Sequence, residues 1–470
     1  MLSALRIFLR IACLFVLLMS PMLALSWWLN EVIFLKLLGL AVSLCVSLYL
    51  AFSLLSMYKQ EAIEYVYGLL VFIWVGLSVI AALPFWFGIP DIRWVDAWFV
   101  AVSGITTTGA EVFVDLTILP KSLLFYRMWL QFLGGLGIIV LATVWQALEG
   151  ESSLSVLPSD MPGSVKARSL VPRMLESAKL VWMVYVGLYF ACILWFCCCG
   201  MRVFDAFCES LSVVSTGGFG LYNENMGHYD LPGLRVGVML FMLLSSFNFI
   251  VYCRCLLSRS LSGFWQNSEC KSYLFLVLGM GFMLSVLAMF WGMPMQDYGF
   301  LWVSFITTSG HQLTHEALAF LPNALVLTFF CCLGGCVGST TGGVKLSRVQ
   351  LLGRDVRHTL HLMRHPRAVL GDVDASLEGG VFARGFLVAY SMVILLVVWL
   401  LALSGCSLGD AFAFTVACLS NTGAVVLQTV QGYPDLPDFV KYVLCVTMLL
   451  GRMEILAVLL IFSPGYWRIR

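Results

Sequence analysis

The chain has 470 residues, of which 61% are hydrophobic and 11% charged, with a formal net charge of +1. Soluble globular chains carry about 25% charged residues, so this balance, with a mean hydropathy of +0.94, places most of the chain in a lipid bilayer. The near-zero net charge excludes a strongly basic surface of the kind that binds nucleic acid.

Apolar stretches that meet the length of a membrane span, about 20 residues, fall at 6–28, 31–57, 66–89, 120–147, 174–200, 231–257, 272–292, 318–352, 381–404 and 437–462. The first follows Arg6 and Arg10 as in a secretion signal. A second apolar stretch follows at once without a small-residue cleavage site, so the first reads as a retained span. Shorter apolar pieces at 96–106, 205–215, 297–307 and 410–420 cannot cross a bilayer and suit re-entrant helices.

Ten spans put both termini on one side. Arg6, Arg10, Lys166, Arg168, Arg173, Arg254, Arg259, Lys271, Arg468 and Arg470 mark that side as cytoplasmic by the positive-inside rule. So does the basic loop holding Lys345, Arg348, Arg354, Arg357, Arg364 and Arg367. The other side carries Asp91, Asp96, Glu111, Asp115, Asp205, Glu224, Asp230, Asp297, Asp410, Asp435 and Asp438. These acids either concentrate cations or are ordinary solvated loop charges. The 16 cysteines include the adjacent Cys197, Cys198 and Cys199 and lie mostly in apolar runs. They read as small apolar fillers, not as disulfides or a metal site.

The four short pieces align without gaps. They read DAWFVAVSGITTTGAE from Asp96, DAFCESLSVVSTGGFG from Asp205, DYGFLWVSFITTSGHQ from Asp297 and DAFAFTVACLSNTGAV from Asp410. A Gly lies 13 residues after each Asp, at Gly109, Gly218, Gly310 and Gly423. Four matches in register make an internal repeat. The expected fold is an all-α polytopic membrane protein with four helix–pore loop–helix repeats about one pseudo-fourfold pore. Its expected units are a two-helix extension at 1–60 and repeats at 61–150, 151–265, 266–375 and 376–470.

Each Asp is expected to cap a short helix that dives inward from the outer side. The helix C-terminus then carries partial negative charge into the membrane, where four such ends favour a cation. The strands after them are Thr107–Thr108–Gly109, Thr216–Gly217–Gly218, Thr308–Ser309–Gly310 and Asn421–Thr422–Gly423. Gly permits backbone that turns carbonyls to the axis, and carbonyl rings can replace an ion's hydration shell.

The span at 318–352 is interrupted by Gly334, Gly335, Cys336, Val337, Gly338, Ser339, Thr340, Thr341, Gly342 and Gly343. Each interior Gly costs a helix about 1 kcal/mol against Ala, so a break is expected. The segment lacks the GK[ST] ending of a phosphate loop. Arg452 sits inside the last span, where a charge normally faces a bundle interior or a cavity. Arg127 reads as an anchor near the outer interface.

At these residues the sequence resembles the Trk/Ktr/HKT superfamily of potassium transporters, most closely the TrkH branch. The stretches that carry the resemblance are TTTGAE at 106–111, FYRMWLQFLGGLGIIVLA at 125–142, STGGFG at 215–220, GGCVGSTTGGVKLSRVQLL at 334–352 and LGRMEIL at 450–456. The resemblance implies potassium uptake through a gated, channel-like pore in the bacterial inner membrane. It implies potassium contacts at Thr108, Gly109, Gly217, Gly218, Ser309, Gly310, Thr422 and Gly423. It implies a gate built from the loop 334–343 and Arg452. It also implies a homodimer and a TrkA-like cytosolic nucleotide-binding regulatory subunit, for which the basic segment 345–367 is a natural contact. Glu111, His311 and Ala424 depart from the usual residues after the filter glycines.

The competing reading is a proton- or sodium-coupled secondary transporter. Coupling needs intramembrane carboxylates, and Glu454 is the main candidate. His358, His361 and His365 read as part of a solvated basic loop. His311 and His315 are four apart, but Gln312 replaces the Glu of a zinc HExxH site. No nucleophile–base arrangement or nucleotide fingerprint points to an enzyme or an organic cofactor; potassium is expected as cargo.

Overall fold

The computed structural model describes residues 2–56, 66–152, 163–289, 295–313, 321–365, 374–425, 432–453 and 455–463. Glu454, His315, Arg367, Arg468 and Arg470 lie outside them. All regular structure among the described residues is helical. The N-terminal extension contains α1 (Leu2–Leu18), α2 (Ser20–Trp28) and α3 (Phe34–Ser56). The first repeat follows as α4 (Val66–Gly88), the short α5 (Trp94–Ile105) and α6 (Lys121–Ser152). The second has α7 (Gly163–Cys198), the short α8 (Val203–Val214), α9 (Leu234–Ser246) and α10 (Phe249–Ser258). After α11 (Ser262–Gln266) the third runs through α12 (Ser268–Met289), the short α13 (Met295–Ile306), α14 (Leu321–Leu333) and α15 (Leu346–Arg364). The fourth contains α16 (Asp374–Leu403), the short α17 (Leu408–Leu419), α18 (Asp438–Arg452) and α19 (Ile455–Ile461).

Six helices among the described residues are long and apolar enough to cross a bilayer, and α9 with α10 makes a seventh candidate bent by 90°. The apolar run 231–257 is therefore not the continuous span expected. Phe247 is extended, and the Asn248 side chain caps α10 by accepting the Ile250 N–H at 2.8 Å. The preceding Ser245 and Ser246 offer the backbone further alternatives to helix. The last span is likewise interrupted, with α18 ending at Arg452 and Met453 as its C-cap. Two stretches read as basic loops are helical instead. Residues 166–173 belong to α7, and residues 346–364, including His358 and His361, form α15.

The short helices hold the fold together. In α5, residues Ala97, Phe99, Val100, Ala101 and Val102 are fully buried, as a helix apolar on all sides must be. Each short helix packs within its own repeat and also against the second long helix of the repeat before it. Thus α8 meets α6, α13 meets α9, α17 meets α14 and α5 meets α18. The last contact joins the end of the chain to its beginning and closes the four repeats into a ring.

The four aspartates are not helix caps, because each occupies the third residue of its helix. Arg93, Arg202 and Ser407 stand at the cap positions of α5, α8 and α17. An acid in the first turn still complements the positive helix end. In α17, Ser407 and Asp410 form a reciprocal cap, with Asp410 N–H donating to Ser407 Oγ at 3.2 Å and Ser407 Oγ donating to Asp410 Oδ2 at 2.7 Å. Asp205 accepts from Tyr222 of its own repeat at 3.4 Å, and the other two acids fasten neighbouring repeats. Lys441 of α18 donates to Asp96 at 2.6 Å, and Arg235 of α9 donates to Asp297 at 2.9 Å.

Lys441 is buried, and its ammonium also reaches the Pro434 carbonyl at 2.8 Å. Asp96 also accepts from Arg93 at 2.8 Å, so removing Lys441 loses its charge-assisted hydrogen bonds without leaving the carboxylate alone, at roughly 1.5–3 kcal/mol. Lys441→Ala should lower the thermal unfolding temperature of the detergent-solubilised protein. Combining Lys441→Met with Asp96→Asn should restore most of it. Equal melting of wild type and Lys441→Ala would show that this pair does not close the ring.

Candidate functional site

The four short helices end in the same way. Thr106, Ser215, Thr307 and Ser420 each turn a hydroxyl back onto the carbonyl four residues earlier, all at 2.7 Å. The next residues, Thr107, Thr216, Thr308 and Asn421, have φ of 52°, 52°, 50° and 54°. The N–H one residue further bonds back into the helix: Thr108 to Ser103 O at 2.8 Å, Gly217 to Ser212 O at 2.8 Å, Ser309 to Ser304 O at 2.8 Å and Thr422 to Ala417 O at 2.9 Å. This is a Schellman termination, normally built on Gly. Here a β-branched Thr occupies the left-handed position in three repeats, a conformation that costs of order 1–3 kcal/mol.

Each strand then reaches its Gly, with φ of 78° at Gly109, 82° at Gly218, 73° at Gly310 and 68° at Gly423. A Cβ on Gly109 would collide with the Gly217 carbonyl, one on Gly218 with that of Ser309, one on Gly310 with that of Thr422, and one on Gly423 with that of Thr108. All four contacts fall below 3.0 Å, closer than real Cβ atoms approach. The four carbonyls occupy equivalent positions, one residue before each Gly. The contacts run from repeat one to two, three, four and back to one. The sequence-derived strand residues therefore surround a single axis.

Side chains behind the strands tie down one of these four carbonyls, that of Gly217, and two glycine carbonyls beyond them. Gln131 donates to Gly217 O at 2.6 Å, Asn225 to Gly218 O at 2.8 Å and the Tyr433 hydroxyl to Gly423 O at 2.8 Å. Asn225 also contacts His311 Nδ1 at 3.0 Å. Glu111 pairs with the buried Arg127, whose guanidinium lies 4.4 Å from the Phe219 ring centre. Glu209, fully buried in α8, accepts from Leu221 N–H at 2.9 Å and from the Tyr229 hydroxyl at 3.3 Å. Sequence reasoning did not single out Gln131, Asn225, Glu209 or Tyr433. A charge inside an apolar pore helix was the available signal for Glu209.

Residues 334–345 leave the helix between α14 and α15, with φ of 66° at Gly334, 74° at Gly338 and 73° at Gly343. The neck of this loop closes through Val344 N–H to Cys332 O at 2.8 Å and Lys345 N–H to Leu333 O at 2.9 Å. Its tip reaches the strand residues from the helix-terminus side. Gly342 N–H donates to Thr308 Oγ1 at 2.8 Å, and Thr216 Oγ1 donates to Thr340 Oγ1 at 3.1 Å. A Cβ on Gly342 would strike the Ser420 carbonyl. On one flank, Cys336 N–H bonds Ser246 O at 3.0 Å and Phe249 N–H bonds Gly338 O at 3.1 Å. On another, the buried Arg452 donates through Nη1 to Thr340 O at 2.9 Å. Arg452 Nε and Nη2 have no hydrogen-bond partner among the described residues.

Glu269 of α12 also holds this loop, although no motif or spacing singles it out. It accepts from Val337 N–H at 2.9 Å and from Ser347 N–H at 3.1 Å. One carboxylate thereby serves the loop and the N-terminus of α15. Among the described residues, no group of three or more His, Cys, Asp or Glu could hold a metal ion.

Four pore-loop repeats closed about one axis, in a chain this apolar, define a multi-pass membrane protein of the cation-transport class. The family model described as TrkH, a cation transport protein, matches residues 32–310 and 298–469, and the chain belongs to that family. It is 34% identical over 420 residues to the Trk system potassium uptake protein TrkH of Salmonella typhimurium, covering 85% of each chain. It is 32% identical over 412 residues to TrkG of Escherichia coli, covering 85% of this chain and 84% of that one. The crystal structure of the potassium transporter TrkH from Vibrio parahaemolyticus superposes with a TM-score of 0.88 at 29% identity, covering 99% of both chains. These relatives are named as uptake proteins, and the chain is a transport protein, not an enzyme.

The glycine geometry has a direct consequence. Gly218→Ala must displace the Ser309 carbonyl and strain the left-handed backbone, which alone costs about 1–2 kcal/mol. Rubidium flux into proteoliposomes should fall by at least ~tenfold. Gly137→Ala, whose Cβ meets nothing within 4 Å, should leave flux unchanged. Full flux through Gly218→Ala would show that the ring does not line the ion path.

Proposed function

We propose that the chain is the pore subunit of a potassium uptake system. In this reading, ions lose water at the ring formed by Thr108, Gly109, Gly217, Gly218, Ser309, Gly310, Thr422 and Gly423. The observation that carries the reading is the cyclic fit of each Gly against the preceding-residue carbonyl of the next strand. That fit brings four equivalent carbonyls together where four helix C-termini converge, and aligned helix dipoles make such a point negative. Potassium is the cargo named for the relatives, and four glycines impose no side chain on the passage.

The loop 334–343 and Arg452 form the gate in this proposal. The loop lies across the strand residues of repeats two, three and four, and Arg452 places a cation beside the route while bonding Thr340 O. Opening requires the loop to withdraw and that bond to break. The regulatory partner is a TrkA-like cytosolic nucleotide-binding subunit. The basic helix α15, continuous with the loop through Lys345, is its lever. The working unit is a homodimer with one pore per protomer, in the bacterial inner membrane with both termini cytoplasmic.

Coupling to protons or sodium would need a buried carboxylate free to exchange protons or ions. Glu209 is buried deeply enough, and its Oε2 has no hydrogen-bond partner among the described residues, while its Oε1 bonds Leu221 and Tyr229, which suits it to bracing the second strand.

Arg452→Ala should raise basal rubidium flux roughly ten- to hundredfold, the equivalent of one charge-assisted hydrogen bond of ~1.5–3 kcal/mol. Unchanged flux together with unchanged regulation would remove Arg452 from the gate. In planar bilayers the purified chain should carry current that follows the potassium gradient alone. Strict dependence on a proton or sodium gradient would instead establish the coupled mechanism.

A further inference from the structure

Between α7 and α10 runs an open groove of about 670 Å³, within the ~300–1,000 Å³ typical of ligand sites. Leu180, Val184, Gly187 and Leu188 line its α7 side. Their spacing is that of a single helix face. Cys255 and Leu256 of α10 line the other side. The walls offer almost nothing polar until one end, where Arg259 and Ser260 stand exposed. No ion pair or side-chain hydrogen bond occupies the Arg259 guanidinium among the described residues. The exposed Trp265 lies a few residues beyond, and Trp is enriched where a bilayer meets water. Arg254 and Lys271 add positive charge to the same segment.

An apolar slot that ends in an unpaired cation at the membrane surface is complementary to one kind of molecule. We propose that this groove binds a phospholipid with an anionic headgroup, an acyl chain lying between α7 and α10 and the phosphate meeting Arg259 and Ser260. Basic pockets between membrane helices on the cytoplasmic side take anionic headgroups in this way, and guanidinium is well matched to phosphate oxygens. A second copy of the chain would have to bring an acid to Arg259 as well as an apolar ridge to the slot. The location matters because Phe249, the first residue of α10, donates its N–H to Gly338 O in the intramembrane loop. The lipid would therefore contact the element on which that loop rests.

The test is lipid retention by the purified, delipidated full-length chain, followed by native mass spectrometry. Phosphatidylglycerol should bind at concentrations where phosphatidylcholine does not. Arg259→Ala should weaken phosphatidylglycerol binding about fivefold, and Arg259→Lys should retain it. Gly187→Trp should abolish it by filling the slot, since a Cβ there meets nothing within 4 Å and the side chain would project into the groove that Gly187 lines. A benzophenone side chain in place of Met183, which also lines the groove, should photo-crosslink to one lipid. Equal binding of the two lipids, binding unaffected by Gly187→Trp, or cross-linking to a second copy would each overturn the proposal. None of these readouts depends on transport, so they stand apart from any failure of the gating model.

Discussion

Four strands can meet around one axis only if nothing projects from them into their neighbours. At Gly109, Gly218, Gly310 and Gly423 the volume of a β-carbon is already filled by the carbonyl of the adjacent strand. The surrounding architecture serves that fit. The short helices must arrive at one depth, which sets the common 13-residue distance from Asp to Gly. They must also keep a fixed angular order, so each leans on the second long helix of the preceding repeat. Lys441 with Asp96 and Arg235 with Asp297 then fasten that order where the short helices begin.

The strained residues connect the ring to the loop. Thr216 and Thr308 accept an unfavourable left-handed backbone so that the chain can reverse out of its helix. The same backbone turn presents their hydroxyls to Thr340 and Gly342. Asn421 uses the equivalent position differently, donating to Thr108 Oγ1 and Met448 O, each at 3.0 Å. It thereby joins strands four and one and anchors both to α18, one turn before Arg452. A displacement of the loop changes hydrogen bonds made by the residues that set the strand geometry. In the proposed mechanism, gate and ion site therefore share a hydrogen-bond network.

The repeat was legible in the sequence because one physical demand recurs four times: an acid in the first turn, an apolar body, a hydroxyl at the helix end and a Gly past it. A pattern of residue types in fixed register needs no knowledge of tertiary contacts. The helix start was harder to read. Asp is favoured both as a cap and in the first turn, and type alone does not separate the two, so reading Asp96, Asp205, Asp297 and Asp410 as caps starts each helix three residues too late. The bend at Phe247–Asn248 was hidden by an apolar run long enough to span, although Asn248 is a good cap. Gln131, Asn225, Tyr433 and Glu269 could not be read at all. Gln131 and Glu269 act on a carbonyl or N–H remote in sequence, and Asn225 and Tyr433 reach back across irregular loops of seven and ten residues, where no regular spacing reveals the partner.

The bend in the second repeat explains how the loop of the third can exist. A continuous helix there would use the carbonyls of Ser245 and Ser246 in its own ladder. Ending α9 at Ser246 leaves carbonyls without intrahelical partners, as every helix C-terminus does. Cys336 N–H takes Ser246 O at 3.0 Å, and the Thr340 hydroxyl takes Ser245 O at 3.1 Å. Restarting the chain at Phe249 leaves an unpaired N–H, which Gly338 O accepts. Irregular backbone at membrane depth is tolerated only where protein or trapped water satisfies it. Two broken helices from neighbouring repeats satisfy each other here, with Glu269 supplying the acceptor that neither provides. Straightening α9 into α10 would therefore remove the support of the loop, and the fourfold pattern must be broken in repeat two for it to be broken in repeat three.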